Sequence, residues 1–206
     1  MKPFSVKTKS QQKPTRIGIY AGTFDPVHAG HISFALQAAS AARLDELYFI
    51  PERRPRGKHQ VSHFAHRVAM LRRATKHHPT LKVLEVEDKT FSVAHTLPRL
   101  RQRFSGATLV FICGSDVVLG MSHWPQLDQL FATTELCVGR RSRHSSQQIE
   151  QALKELCSQP RQTYVIESYS PKISSSKVRQ AFREGRLGHG LLASVKAYAT
   201  KEWLYL

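Results

Sequence analysis

Short apolar runs alternate with longer amphipathic stretches along this chain. The apolar runs have the length and composition of buried strands. They predict strands over residues 16–21, 46–50, 81–86, 107–113, 136–139 and 163–166. In the amphipathic stretches, apolar positions recur at helical spacing, as Phe64, Val68 and Leu71 do. They predict helices over residues 32–42, 64–77, 92–104, 176–184 and 191–203, with Pro98 as a candidate for a kink.

Strands that alternate with helices indicate βαβ units. We therefore expect an α/β fold with a doubly wound, mostly parallel sheet and C-terminal helices. The nearly continuous apolar run at residues 107–113 suits a strand that is covered on both faces. Ligands of such sheets bind beyond the carboxyl ends of the strands. Two basic loops, at residues 53–60 and 140–146, follow predicted strands and should lie on that side.

Length and composition fit one globular domain. The chain has 206 residues and 41% hydrophobic positions, with no apolar run long enough to cross a bilayer. We predict a single domain over residues 15–206, preceded by a basic flexible tail over residues 1–14. No apolar segment follows that tail, so the sequence does not predict a secretory signal.

Charge and cysteine content indicate which ligands and which cellular compartment the sequence favours. The net charge of +16 predicts a surface that attracts polyanions such as nucleic acid, anionic lipid or phosphorylated metabolites, without choosing among them. The three cysteines are far apart, which argues against a disulfide framework and against a cysteine-based zinc site. We therefore expect a reducing compartment, the cytoplasm, with no membrane partner. Oligomeric state stays open, and a homo-oligomer is compatible with the sequence.

The segment GTFDPVHAGH, residues 22–31, leads from the first predicted strand into the first predicted helix. Free backbone N–H groups and the helix dipole meet at that place, which favours a bound phosphate. Gly22 allows a tight turn with close ligand approach. His28 and His31 are spaced i, i+3, so both can face one ligand, and Gly30 leaves room between them. Imidazoles aimed at a phosphate can donate hydrogen bonds as transition-state charge builds. On spacing alone, an isolated HxxH is weak evidence.

A second candidate anion site is the segment ISSSKVR, residues 173–179. Its three serines are good N-cap residues for the helix that follows. Their hydroxyls and the free N–H groups of the first turn can bind an anion, and Arg179 can add a charged fork one turn later. Taken alone, the segment is more typical of a plain helix cap with a surface arginine.

Together these two segments resemble a known family. GTFDPVHAGH resembles the HxGH signature of the nucleotidylyltransferase superfamily, and more closely the bacterial nicotinate-nucleotide adenylyltransferases. ISSSKVR is similar to the ISSxxxR element of that family. The resemblance covers residues 16–206 and implies a Rossmann-like fold, ATP and a mononucleotide as substrates, Mg²⁺ with the ATP, no metal bound by the protein alone, and no specific nucleic acid partner.

The resemblance also implies roles for particular residues. His28, His31 and Arg179 become the catalytic candidates, with the two histidines binding the ATP phosphates and stabilising the transition state. The element Gly114-Ser115-Asp116 resembles the family's GxD element, which contacts the adenosine. The implied ATP-binding set is Gly22, Thr23, Phe24, His28, His31, Gly114, Asp116, Ile173, Ser174, Ser175, Ser176 and Arg179.

The acceptor-binding set implied by the resemblance is Lys58, Ala94, Thr96, Trp124 and Arg140. Trp124 is a candidate to stack on a pyridine ring, although packing in the core beside Leu127 remains an alternative. Lys58 matches the family's PPHK loop only in part, because the loop reads RPRGKH here.

One departure from the family leaves base specificity open. The family carries a Ser-Tyr-Thr motif before its third helix, whereas residues 91–97 read FSVAHTL here. Phe91 can replace the tyrosine ring after a shift of one residue. The group His59, His63 and His66 has helical spacing, but without nearby acids or cysteines it is a weak metal site.

Three functional hypotheses follow. The first is adenylyl transfer to nicotinate mononucleotide, which forms deamido-NAD. The second keeps the fold but uses another acceptor (nicotinamide mononucleotide or phosphopantetheine) or a cytidylyl reaction. Phosphopantetheine enzymes usually carry Thr at the place of His28, and cytidylyltransferases usually show RTEGIST where this chain has SPKISSS. The third is a nucleic-acid-binding module that exploits the +16 charge; it would bind in a salt-dependent way and show no turnover.

Overall fold

A six-stranded parallel sheet forms the centre of the protein. The computed structural model describes residues 15–58, 60–141, 143–167, 173–186 and 190–205. The strand order is β3-β2-β1-β4-β5-β6, and every neighbouring pair runs parallel. This order is that of a doubly wound, dinucleotide-binding sheet, so the predicted Rossmann-like α/β fold is confirmed. The strands are β1 (Arg16–Gly22), β2 (Glu46–Pro51), β3 (Leu81–Val83), β4 (Thr108–Gly114), β5 (Thr134–Arg140) and β6 (Thr163–Glu167).

Helices connect the strands and cover both faces of the sheet. In the described part of the chain they are α1 (Ala29–Ala41), α2 (Phe64–Thr75), α3 (Thr96–Arg103), α4 (Ser115–Leu119), α5 (Leu127–Thr133), α6 (Ser146–Lys154), α7 (Ser175–Arg183) and α8 (Ala193–Lys201), with a 3₁₀ turn at Met121–His123. No helix in these ranges is long and apolar enough to cross a membrane. The predicted tail over residues 1–14 lies outside the described residues.

The core has two halves, one on each face of the sheet. Strand β4 shows why, because its side chains alternate between the faces with period two. Phe111 and Cys113 join one apolar cluster, whereas Val110 and Ile112 join the other. The continuous apolar run in this strand therefore serves two cores, as expected for a strand covered on both sides.

The sequence-based boundaries are wrong in two instructive places. Strand β3 ends at Val83 instead of residue 86; Leu84 N still donates to the carbonyl of Phe49, whereas the carbonyl of Val86 accepts from the side chain of Arg53. Helix α3 begins at Thr96 instead of residue 92, because Ser92 and Thr96 close a turn through the backbone and the threonine hydroxyl. Pro98 therefore lies in the first turn, where its missing N–H has no intrahelical partner to lose.

Three helices were missed by the sequence pattern. Helices α4 and α5 are only five and seven residues long, too short for a clear periodicity. Helix α6 begins after Ser145, whose hydroxyl accepts from Gln148 N while the Gln148 side chain accepts from Ser145 N. Because of this capping box, residue 146 of the predicted loop over residues 140–146 is the first residue of α6. At the other end of that loop, Arg140 is the last residue of β5.

Candidate active site

A cavity of about 890 Å³ opens at the carboxyl edge of the sheet. Strand ends are level there, since Gly22 pairs with Pro51 and Gly114 pairs with Gly139. The cavity lies where the strand order reverses between β1 and β4, which is the expected ligand site of an open α/β sheet. Both predicted anion-binding segments contribute to its wall.

The turn after β1 is shaped by a strained aromatic residue. Phe24 has a left-handed backbone, with φ of 51°, and its side chain is buried. Such a conformation costs on the order of 1–3 kcal/mol for a bulky residue, so packing must hold it. The Phe24 ring meets Tyr20 edge-on at 5.2 Å and Phe49 at 5.3 Å. A Cβ on Gly22 would lie 3.0 Å from this ring, which explains why glycine ends the strand.

A buried arginine ties this turn to its neighbours. Arg67 on α2 is 1% exposed and donates to the backbone carbonyls of Thr23, Ser62 and Arg53 at 2.8, 3.0 and 3.3 Å. Burial lowers the pKa of its guanidinium, and nearby Asp25 opposes that shift. Sequence reasoning missed Arg67. The signal was present, because position 67 falls on the apolar face of a predicted helix, where a charged residue is unusual.

The two predicted motifs meet through backbone carbonyls of the first turn. Arg179 donates to the carbonyl of Asp25 at 2.7 Å, and the Ser175 hydroxyl donates to that of Pro26 at 3.0 Å. Ser174 caps α7 by accepting from the backbone N–H of Lys177 at 3.3 Å. Ser175 and Arg179 therefore lie directly against the turn that leads into α1. The lining residues of this C-terminal motif are Ile173, Ser174, Ser175, Ser176 and Arg179.

His28 and His31 are stacked at the start of α1, with ring centroids 3.8 Å apart. The backbone N–H of His28 donates to Nδ1 of His31 at 3.3 Å. This nitrogen is therefore an acceptor, and the proton of the neutral ring is on Nε2, which is free to donate. Gly30 also lines the cavity, and the N–H groups of a first helical turn lack intrahelical acceptors.

Both imidazoles are held in the neutral form. Burial, helped by the positive charge of Arg141, lowers the pKa of His28 to about 4. Burial, with further contributions from His28, Arg141 and Lys58, holds the pKa of His31 well below its usual value. Nδ1 of His28 is buried and has no hydrogen-bond partner among the described residues. The pair therefore offers unsatisfied neutral ring nitrogens in a positively charged cavity, which suits an anionic ligand.

A carboxylate and a group of cations mark the side of the cavity near β4 and β5. Asp116 forms ion pairs with Arg141 at 3.0 Å and with Arg143 at 2.6 Å. The buried hydroxyl of Ser115 accepts from the backbone N–H of Arg141 at 3.2 Å and lies 2.8 Å from Nδ1 of His144. These contacts fix the loop after β5 beside the predicted adenosine-binding element.

An aromatic wall forms another side. Phe91 is buried and lies against Phe111, with centroids 5.0 Å apart, and Phe111 meets the partly buried Trp124 at 5.9 Å. All three line the cavity. Trp124 thus both packs on the core and faces the cavity, so the two sequence-based alternatives for it are compatible.

The loop after β2 holds this wall in place. Glu52 accepts from the backbone N–H of Phe91 at 3.1 Å, and Arg56 donates to its carbonyl at 2.8 Å. Lys58 on the same loop donates to the Thr23 hydroxyl at 2.9 Å. Burial lowers the pKa of Lys58, although nearby Glu52 opposes the shift. The loop therefore links the aromatic wall to the turn after β1.

Three predicted acceptor-binding residues, Ala94, Thr96 and Arg140, do not line the cavity. Arg140 pairs with the carboxylate of Glu167 and donates to the carbonyl of His144. Its neighbour Arg141 lines the cavity instead, together with Gly139, because side chains at a strand end alternate with period two. Thr96 is fully buried, and its hydroxyl accepts from Ser92 N to close the turn before α3. Ala94 lies in that turn and does not line the cavity.

The histidine group that the sequence offers as a weak metal site is only partly described by the structure. No group of three or more His, Cys, Asp or Glu residues among those described can hold a metal ion. His66 lies 2.9 Å from the hydroxyl of Tyr198, and His63 is an exposed residue before α2. His59 lies outside the described residues.

Comparison with known proteins agrees with this geometry. The cytidylyltransferase-like family profile matches residues 19–181. A probable nicotinate-nucleotide adenylyltransferase of Carboxydothermus hydrogenoformans is 32% identical over 188 residues, covering 89% of this chain and 93% of that protein. One from Bordetella pertussis is 30% identical over 193 residues, covering 93% and 98%.

A solved structure shares the fold. Nicotinic acid mononucleotide adenylyltransferase of Plasmodium falciparum in complex with NaAD superposes with a TM-score of 0.77 and 18% identity, covering 93% of this chain and 97% of that one. The fold, the histidine pair and the facing serine–arginine element define a nucleotidyltransferase. Within that class, the chain belongs to the nicotinate-nucleotide adenylyltransferases of the cytidylyltransferase-like family.

Proposed function

We propose that this enzyme transfers the adenylyl group of ATP to nicotinate mononucleotide, forming deamido-NAD and pyrophosphate in NAD biosynthesis. The observation that carries the proposal is the single cavity in which His28 and His31 face Arg179 and its serines, beside the aromatic wall of Phe91 and Trp124. One part of the cavity suits a triphosphate and the other suits a flat ring. The family membership of the chain supports the same reaction.

The reaction needs positioning and charge stabilisation rather than a covalent enzyme intermediate. An oxygen of the acceptor phosphate attacks the α-phosphorus of ATP in line, and the bond to the bridging oxygen of the β-phosphate breaks. The leaving pyrophosphate takes the electron pair. Neutral His28 and His31 donate hydrogen bonds to the phosphate oxygens as charge develops, at a site that is already organised.

The other predicted ATP-binding residues also line this cavity, which supports the roles proposed for them. Gly22, Thr23 and Phe24 form the turn that the phosphates approach, and the serines of residues 174–176 with Arg179 receive the β- and γ-phosphates. Gly114 and Asp116 contact the adenosine. Because Asp116 is paired with Arg141 and Arg143 in the structure, nucleotide binding must rearrange these ion pairs.

We propose that Mg²⁺ enters with ATP. Asp25 and Asp116 both line the cavity, but their carboxylates are already bonded to protein groups, Asp25 to Ser62 and Tyr205 and Asp116 to arginines. This fits an ion that keeps phosphate oxygens and waters as its main ligands, as Mg²⁺ usually does. Its chemistry is to neutralise the charge of the departing pyrophosphate. The residues of the chain hold the nucleotide rather than the ion.

The acceptor binds at the aromatic wall. Trp124 stacks on the pyridine ring, Phe91 takes the place of the tyrosine that this chain lacks, and Lys58 and Arg141 face the acceptor phosphate. Thr96 and Ala94 act through the turn that carries Phe91. We further propose that residues 15–206 form one transferase domain, with residues 1–14 as a basic tail, and that the enzyme works in the cytoplasm.

Pyrophosphate release with ATP and Mg²⁺ tests the proposal. Nicotinate mononucleotide, nicotinamide mononucleotide and phosphopantetheine are supplied in turn as acceptors, with ATP alone as the blank. We expect clear preference for nicotinate mononucleotide. Release with only another acceptor would move the chain to a sister activity on the same fold. Silence with all three, combined with salt-dependent binding to DNA or RNA, would favour the nucleic-acid-binding hypothesis.

A further inference from the structure

The C-terminal end of the chain returns to the active-site turn. Tyr205 donates a hydrogen bond of 2.6 Å to Oδ1 of Asp25, a residue 180 positions earlier. Asp25 stands between β1 and His28, in the segment that carries the catalytic candidates. A residue beyond the last helix therefore touches the centre of the first motif.

Asp25 is almost fully buried, with 2% of its surface exposed, and its polar groups are shared among three regions of the chain. Its other carboxylate oxygen accepts from the backbone N–H of Ser62 at 3.0 Å, and its carbonyl accepts from Arg179 at 2.7 Å. A buried carboxylate that loses one donor keeps the cost of desolvation without compensation. Removal of the Tyr205 hydroxyl therefore destabilises the present position of the Asp25 side chain and favours its displacement.

The position of Tyr205 is itself closely determined. Its backbone is left-handed, with φ of 68°, a conformation that residues other than glycine rarely adopt unless surrounding contacts hold it. Its ring meets Phe182 of α7 edge-on at 5.8 Å, and its hydroxyl lies 3.8 Å from Sδ of Met70 on α2. Burial and the nearby Asp25 raise the pKa of the phenol, so it remains a donor at physiological pH. The contact thus joins α2, α7 and the turn after β1.

We propose that Tyr205 is a positioning residue for catalysis: its bond to Asp25 sets the turn that presents His28 and His31 to the α-phosphate. The inference rests on the proposed function, because it assigns Tyr205 a role in that same reaction. It follows that an intact C-terminal end is required for turnover and not only for stability. Misplacement of reacting groups by about 1 Å can cost roughly 100-fold in rate, so even a small shift is measurable.

The test compares Tyr205→Phe with Tyr198→Phe. Both substitutions remove one phenol hydroxyl from the C-terminal region, but the Tyr198 hydroxyl bonds to His66 between α8 and α2, outside the cavity. We expect Tyr205→Phe to lower kcat by about 10-fold while the KM for ATP changes less than about twofold, since a positioning defect acts mainly on the transition state. Tyr198→Phe should leave both constants within about twofold of the wild type.

A second readout is independent of turnover. Amide hydrogen exchange of the segment over residues 22–31 should be at least about threefold faster in Tyr205→Phe than in the wild type, and unchanged in Tyr198→Phe. If the wild type releases no pyrophosphate, the proposed function fails, and the exchange data still decide whether Tyr205 orders the turn. Wild-type exchange together with wild-type kcat in Tyr205→Phe would overturn the inference.

Asp25→Asn provides a check that does not depend on the tyrosine variant being folded. It keeps the shape of the side chain but replaces one of the two oxygens that accept from Ser62 N and the Tyr205 hydroxyl by an NH2 donor, and should lower kcat in the same way as Tyr205→Phe. In the double variant, the two effects should be strongly non-additive, because both act through one bond. Full additivity of the two losses in kcat would show that Tyr205 does not act through Asp25, and the inference would be withdrawn.

Discussion

The two ends of the cavity are built in different ways. The phosphate end is made of two continuous segments, residues 22–31 and 173–179, each of which leads into a helix. The ring end is made of single side chains from separate places, namely Phe91, Phe111, Trp124 and Arg141. A phosphate site can be encoded locally because helix N-termini supply its donors. A ring site depends on packing between distant elements, and its members have no fixed spacing.

This difference predicts that the two ends respond differently to substitution. In the proposed reaction, groups at the phosphate end interact with charge that develops in the transition state, so their loss should lower kcat. Groups at the ring end bind the substrate and the transition state alike, so their loss should raise KM for the acceptor. The kinetic predictions below are given in order of decreasing size, and a prediction about stability follows them.

Removal of either imidazole of the His28–His31 pair should have the largest effect on turnover. His28→Ala and His31→Ala should each lower kcat by about 100-fold or more, because a donor to the transition state is lost. His77→Ala, at an exposed position, is the matched control and should retain full turnover. Steady-state pyrophosphate release measures all three. Near-normal turnover in both active-site variants would remove the histidines from the mechanism.

Two neighbouring arginines at the end of β5, Arg140 and Arg141, should differ in their effect on the acceptor KM. Arg141→Ala should raise the acceptor KM by about 10-fold or more, as expected for the loss of a charge-assisted contact to a phosphate. Arg140→Ala should leave this KM within about twofold, because the Arg140 side chain pairs with Glu167 at the edge of the sheet. Initial rates over a range of nicotinate mononucleotide concentrations measure both constants. The reverse order of effects would restore the sequence-based choice of Arg140.

Trp124→Ala tests the ring end itself. We expect the acceptor KM to rise by about 3- to 10-fold with little change in kcat, since aromatic stacking contributes about 0.5–1.5 kcal/mol beyond area burial. Trp124→Phe keeps an aromatic face, so its acceptor KM should lie between that of the wild type and that of Trp124→Ala. Thermal unfolding of each variant separates a loss of core packing from a loss of binding. An unchanged acceptor KM in a folded Trp124→Ala would make Trp124 a core residue only.

The last prediction concerns the stability of the protein without nucleotide and not its kinetic constants. The pKa of His28 is lowered to about 4 by burial, so between this value and the usual pKa of about 6.5 the unfolded chain binds the proton more readily than the folded one. Stability should therefore be complete above about pH 6.5 and fall as the pH decreases, by up to about 1.4 kcal/mol per pH unit for this group.

His28→Gln is the control for this dependence. Urea unfolding at several pH values between 7.5 and 4.5 should show a shallower decrease in the free energy of unfolding for His28→Gln than for the wild type. The same measurement with saturating ATP should also be shallower, because bound phosphate favours the protonated ring. Parallel pH profiles for wild type and variant would show that His28 does not titrate with a lowered pKa.

Much of the fold and of the phosphate end could be predicted from the sequence, because strand and helix periodicity and helix-start motifs are local signals. Arg141 could not be distinguished from Arg140 without knowing that β5 continues to residue 140. Arg67 was visible as a charge on an apolar helical face, yet its three carbonyl partners depend on the fold. Tyr205 has no local signal, since its partner lies 180 residues away.

Transfer of label from ATP shows directly whether the enzyme transfers the adenylyl group to nicotinate mononucleotide. The enzyme is incubated with nicotinate mononucleotide and ATP carrying label on either the α- or the γ-phosphate, and the products are separated. Adenylyl transfer predicts that α-label enters the dinucleotide and γ-label leaves in pyrophosphate, with both signals greatly reduced in His31→Ala. If label from the γ-phosphate appears on the acceptor, or if no labelled dinucleotide forms, the enzyme does not transfer the adenylyl group to nicotinate mononucleotide.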